Sequence, residues 1–188
     1  MVRYTQNQIM RKLPKTFFEN KTLVVAKELI GKYLVRKVGN KITREKIVET
    51  EAYVGPHDLA CKSSRGKTEG NKIMYEEAGT IYVYFTYGMH WMLNVVTEAK
   101  DFPSAVLIRG TEITSGPARL TKSLKIDKKL NGLKLGEKSG LWIEEDLKAD
   151  SLPAGRRDSK LKISKTPRIG IDSAGPIWAN KPYRFILR

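Results

Sequence analysis

Two runs rich in β-branched and aromatic residues, 33–38 and 42–53, are separated only by Gly39-Asn40, a pair that accepts the positive φ angles of a tight turn. A hairpin with so long a second arm commits the chain to a sheet as its core. Side chains alternate across a strand, so along 47–53 Glu49, Glu51 and Tyr53 fall on one face and Thr50 and Ala52 on the other. Two carboxylates and a phenol therefore leave the strand side by side. Taken alone, Glu-Thr-Glu could equally be the wet edge of a sheet, and the rest of the chain has to decide between the two.

Other segments extend the pattern. Leu23, Ala26, Leu29 and Ile30 recur at helical spacing within 17–30, with Asn20 or Thr22 able to cap the start and Gly31 placed to end it. Residues 80–85 and 90–97 read as strands joined through Tyr87-Gly88, which puts Tyr87 at or beside a hairpin tip. A further strand over 104–113 places Val106 and Ile108 on one face and Leu107 and Arg109 on the other, and an arginine on an apolar strand needs an acidic partner. Ser115-Gly116-Pro117 is a helix start, with serine as cap, and the helix presents Arg119, Lys122 and Lys125. The polar, basic stretches 58–71, 128–138 and 150–165 read as exposed loops, the first lying over the acids; Leu141-Trp142-Ile143 is a short apolar segment between the other two. Closing strands are expected at 166–171 and 183–187, and Tyr75, Tyr82 and Trp178 are expected to fill the core. The succession lacks a regular β-α-β alternation. It predicts an α+β fold, a single domain over 1–188 with a curved, mostly antiparallel sheet and a few flanking helices.

Composition narrows the partners. The 35 Lys+Arg against 20 Asp+Glu give a formal net charge of +15, which draws in polyanions, nucleic acid first. Cys61 is the one cysteine, so no intrachain disulfide or thiolate zinc cluster can form, and His57 and His90 lack the spacing of a metal pair. No metal is expected. The first residues lack the apolar core of a secretory signal, and no run reaches the roughly 18 apolar residues of a membrane span. A cytoplasmic protein is expected, nucleoid-associated if prokaryotic.

Four blocks occur in order: Glu49-Thr50-Glu51-Ala52-Tyr53 with Gly55-Pro56; Gly79-Thr80-Ile81-Tyr82-Val83-Tyr84 with Tyr87-Gly88-Met89 and Asn94; Val106-Leu107-Ile108-Arg109; and Ser115-Gly116-Pro117. In order and wording they resemble the alkyladenine, or 3-methyladenine, DNA glycosylase family over about 13–187. The resemblance implies a monofunctional enzyme that turns an alkylated or deaminated purine (3-methyladenine, 7-methylguanine, hypoxanthine or ethenoadenine class) out of duplex DNA and hydrolyses its N-glycosidic bond, leaving an abasic site. By the same resemblance Glu51 is the general base that activates water, and Arg109 helps hold that water and carboxylate. Tyr53, Lys62, Tyr84 and Asn94 line the base pocket, Asn94 by crowding a purine 2-amino group. Tyr87 wedges into the space the base vacates, and Gly88, Met89, Arg119 and Lys122 contact DNA. Among the many lysines only Lys62, when the Gly55-Pro56 block is aligned, falls at a position the resemblance places beside the base, so strand cutting by an amine is not expected. The partner implied is double-stranded DNA with a damaged purine, met by a monomer without metal or organic cofactor.

Three departures stand against the family pattern. Lys62 replaces a usual histidine, His90 stands where tyrosine is common, and the stretch between Arg109 and Ser115 is short. The alternative from another class is a nucleic-acid-binding module that keeps the fold and basic face without hydrolysis.

Overall fold

The structure is a computed structural model that describes residues 9–86, 88–147 and 161–188. Among the described residues the strands are β1 (Met10–Lys12), β2 (Tyr33–Val38), β3 (Lys41–Tyr53), β4 (Ile81–Thr86), β5 (His90–Val96), β6 (Ala105–Thr111), β7 (Leu141–Asp146), β8 (Ile163–Thr166) and β9 (Arg184–Leu187). They pair antiparallel throughout, in the order β1-β7-β2-β3-β6-β5-β4, with β9 joining β3 to β8. Helices α1 (Lys15–Phe18), α2 (Thr22–Glu28), α3 (Pro117–Ser123) and α4 (Gly175–Ala179) flank this sheet, as an α+β fold requires.

The predicted hairpin forms, with Val38 opposite Lys41 and Gly39 at φ 58° in the turn. Its second arm does more than pair with the first. From Ile47 onward β3 pairs with β6, and Glu49, Thr50 and Glu51 also pair with β9. Both edges of the strand are thus occupied where the acids stand, which excludes the wet-edge reading.

A bulge interrupts the β3–β6 register between Ile47 and Thr50. Without it, period-two alternation would put Ile47 on the same face as Glu49 and Glu51. This irregularity switches the parity, so Ile47 joins the main core with Leu34, Ile108 and Phe185 while the acids turn the other way. Thr50 and Ala52 face the main core too, and the Thr50 hydroxyl donates to the Ala26 carbonyl of α2 at 2.7 Å. On the opposite side a smaller cluster of Cys61, Met74, Tyr82, Val96 and Ala105 packs against Tyr53 and Tyr84.

Several expectations need correction. The single helix over 17–30 is two. Asn20 closes α1 by donating to the Thr16 and Phe17 carbonyls, and the start of α2 is met by a distant residue, Glu98, whose carboxylate accepts from the Thr22 N–H at 3.0 Å. Neither Asn20 nor Thr22 serves as a side-chain cap. Gly116, not Ser115, precedes α3, and no side chain caps it. The strand expected at 166–171 lies earlier, ending at Thr166, because Pro167 has no N–H to offer a ladder. Residues 148–160 of the loop expected at 150–165 lie outside the described residues, and Ile163–Thr166 is β8. The stretch 128–138 buries Leu130 and lends Asn131 Oδ1 to the Val83 N–H at 2.9 Å, so it is not merely an exposed loop. Tyr82 is buried as expected, whereas Tyr75 is half-buried and Trp178 half-exposed, its ring between His57 and Lys181.

The stretch 58–71 is likewise no plain surface loop, because Asp58, Cys61, Ser63 and Asn71 are buried in it. Asp58 anchors one end. Its carboxylate accepts from the Val54 and Ala60 N–H groups and takes both Nη atoms of Arg168, at 2.5 and 2.9 Å. Both side chains are inaccessible to solvent. Arg168 also donates to the Ala52 carbonyl at 2.8 Å and lies over the rings of Tyr53 and Tyr183, at 4.8 and 5.3 Å from their centroids. One ion pair thereby ties the end of β3, the following loop and the segment after β8. Between β3 and that loop, Gly55 adopts φ 68°, and a Cβ there would lie 2.6 Å from the Phe102 ring.

Removing one member of a fully buried, hydrogen-bonded pair leaves the other charge uncompensated. Asp58→Ala is expected to lower unfolding free energy by about 3–5 kcal/mol in urea titration. Gly55→Ala combines a left-handed backbone with a ring clash and is expected to cost about 2–4 kcal/mol in the same assay.

Candidate active site

The face of β3 opposite the main core opens on a cleft of about 370 Å³, a volume within the range of small-molecule sites. Tyr53, Lys62, Tyr84, Asn94 and Arg109 line it, with Ile169 and Gly170 from the segment after β8. Five of the predicted site residues therefore share one cavity.

Glu51 is fully buried and does not itself line the cleft, but Tyr53, Arg109 and Ile169, which do, all contact it. Its Oε2 accepts from the Tyr53 hydroxyl at 2.8 Å, and its Oε1 accepts from the Ile169 N–H at 2.8 Å. Arg109 Nη1 approaches Oε1 to 3.4 Å, while Arg109 Nε donates to Glu49 Oε1 at 3.0 Å. Glu49 also accepts from Arg184 Nε at 2.6 Å. Two carboxylates and two guanidiniums thus alternate across β3, β6 and β9. The partner predicted for Arg109 is present twice over.

Burial raises the Glu51 carboxyl above the usual carboxylate range, and the Glu49 charge adds slightly to that. The Arg109 charge, the Ile169 N–H and the Tyr53 hydroxyl all pull the other way, in that order, without cancelling the effect of burial. The Arg109 charge thus favours the ionised form but is outweighed by burial. Burial together with the adjacent Glu51 charge pushes the Tyr53 hydroxyl well above its ordinary value, which keeps its proton in place to donate.

Tyr84 packs its ring 5.3 Å from that of Tyr82, and Lys62 Nζ stands 4.3 Å from the Tyr84 centroid. Lys62 is itself exposed. The buried Asn94 amide donates to the Tyr82 and Met92 carbonyls, both at 3.3 Å, so the side chain holds the strand pair as well as facing the cleft. At the β4–β5 connection, Gly88 takes φ 65° and Met89 is exposed, its N–H donating to the Thr86 carbonyl. Tyr87 lies outside the described residues. Arg119 and Lys122 are exposed on α3, whose first residue, Pro117, reaches the cleft wall. Gly88, Met89, Arg119 and Lys122 are thus apart from the cleft floor.

Reading the sequence missed Ile169 and Arg168. A signal existed: Thr166-Pro167-Arg168-Ile169-Gly170 sets a cation between a proline and apolar residues, which argues against a plain strand and for an arginine with a buried partner. Glu49, on the same strand face as Glu51, is an ion-pair partner of both Arg109 and Arg184.

Comparison with known proteins agrees with this geometry. The family model described as Methylpurine-DNA glycosylase matches residues 16–188. Three relatives named "Putative 3-methyladenine DNA glycosylase" are similar over nearly their whole length. That of Legionella pneumophila (strain Corby) is 44% identical over 186 residues, covering 95% of this chain and 96% of its own. That of Methanocella arvoryzae is 38% identical over 193 residues, covering 92% and 90%. A relative of the same name from Myxococcus xanthus is 39% identical over 188 residues, covering 95% and 91%. With the cleft, its carboxylate and these alignments agreeing, the chain belongs to the methylpurine-DNA glycosylase family.

Proposed function

We propose that this protein excises damaged purines from duplex DNA by hydrolysing the N-glycosidic bond, with Glu51 as general base. The observation that carries the reading is a buried carboxylate, held by two hydrogen bonds and a guanidinium, directly behind the residues that line an aromatic cleft large enough for a purine. A base inside stacked duplex is out of reach, so the nucleotide is turned out into the cleft between Tyr53 and Tyr84. Electron-rich rings suit an electron-poor purine. Water held by Glu51 and Arg109 attacks the sugar carbon as the bond to the base breaks, and Glu51 takes the water proton.

Contacts to the duplex come from the basic surface. Arg119 and Lys122 meet phosphates beside the cleft, and Gly88 and Met89 approach the groove. Tyr87, by the family resemblance, fills the gap left by the turned-out base. Asn94 narrows the cleft where a purine 2-amino group would lie. The protein works as a monomer on chromosomal DNA, in the cytoplasm.

Glu51 must be ionised to accept the water proton. Single-turnover base release from a hypoxanthine or 7-methylguanine duplex is therefore expected to fall tenfold per pH unit as pH drops through the raised Glu51 value, at a pH above 4.5, the ordinary one. Glu51→Gln is expected to slow release by about 10²–10⁴-fold with lesion-DNA binding kept. The raised folded value also means that Glu51 ionisation costs stability as pH climbs from 4.5, so melting temperature is expected to vary less with pH above 4.5 in the Gln variant than in wild type. Joint loss of binding and fold would show Glu51 to be structural instead. Tyr87→Ala is expected to weaken binding to lesion duplex by about tenfold or more while sparing single strand, since stacking of a side chain in place of a base is worth about 1–3 kcal/mol.

A further inference from the structure

Lys62 is the cation in the cleft that the chemistry around Glu51 does not employ. Arg109 is matched by Glu49 and Glu51, whereas Lys62 has no carboxylate partner among the described residues. Its ammonium instead lies 4.3 Å from the centroid of Tyr84, a ring of the cleft wall. The cleft therefore carries an uncompensated positive charge beside one of its aromatic surfaces.

We propose that Lys62 makes the cleft select by charge, favouring purines that are neutral in the nucleoside and carry an acceptor at position six over N-alkylated purines that are cationic. The inference rests on the glycosylase reading above and adds the substrate class to it. Electron flow gives the reason. When the sugar–nitrogen bond breaks, its electron pair goes to the purine nitrogen, the water oxygen bonds to the sugar carbon, and the water proton passes to Glu51. A neutral purine such as hypoxanthine becomes an anion as it departs and then takes a proton from solvent. An ammonium beside it stabilises that growing negative charge and can donate to the six-position oxygen. A cationic purine such as 7-methylguanine meets repulsion from the same ammonium on entry, and becomes neutral on leaving, so it gains nothing from Lys62.

The test is single-turnover base release from duplexes bearing hypoxanthine or 7-methylguanine, reading the maximal rate and the half-saturating enzyme concentration separately. Lys62→Met keeps the apolar stem without the charge, and Lys62→Arg keeps the charge. Because Lys62 is exposed, neither change threatens the fold. For Lys62→Met the ratio of hypoxanthine to 7-methylguanine efficiency is expected to fall about tenfold or more, with a lower maximal rate on hypoxanthine and tighter half-saturation on 7-methylguanine. Lys62→Arg should retain the wild-type ratio. An unchanged ratio in Lys62→Met, or an equal loss on both substrates as a phosphate contact would give, overturns the proposal while leaving base excision intact. Release of neither base by the wild-type protein overturns the glycosylase reading itself.

Discussion

A carboxylate buried at the centre of a sheet has to be met by polar groups of the protein, and Glu51 draws its partners from three separate stretches of chain. Tyr53 comes from the same strand, Arg109 from β6, and the Ile169 N–H from the segment after β8. Each of these has its own anchor. Arg109 is fixed by Glu49, Tyr53 is overlain by Arg168, and the turn carrying Ile169 follows directly on the Arg168–Asp58 pair. The placement of one charged group thus dictates the packing of β3, β6 and the C-terminal part of the sheet.

The bulge in β3 is what reconciles that group with the hydrophobic core. A regular strand offers one parity to each face, and the sequence asks for Ile47 and Glu49 to part company. A local irregularity at Glu49, after which the register returns, satisfies both. The alternation of Glu49, Glu51, Arg109 and Arg184 then keeps the local charge balanced, so desolvation rather than any neighbouring charge governs the Glu51 proton.

Local signals made much of this visible beforehand. Gly39-Asn40 and the β-branched runs beside it fixed the hairpin, and period two correctly grouped Glu49, Glu51 and Tyr53 and set Arg109 opposite Ile108. What stayed hidden depends on partners far away in the chain. The cap on α2 comes from Glu98, a choice no reading of Asn20 or Thr22 could find. The bulge is a property of the β3–β6 pairing, not of either strand alone. Arg168 and Ile169 were assigned to a strand on their apolar neighbours, although Pro167 already spoke against it. The family resemblance singled out Tyr84 and Asn94 as candidates, both of which line the cleft and neither of which composition and spacing alone distinguish.

The pairing of β9 with Glu49–Glu51 has a consequence for how the molecule comes into being. The strand bearing the acids is made early in synthesis, but its second flank consists of residues 184–187, which leave the ribosome long afterwards. Until then Arg184 cannot reach Glu49, and Ile169 has no fixed place beside Glu51. A nascent or interrupted polypeptide that lacks these residues therefore carries Glu49 and Glu51 with one flank of their strand unpaired.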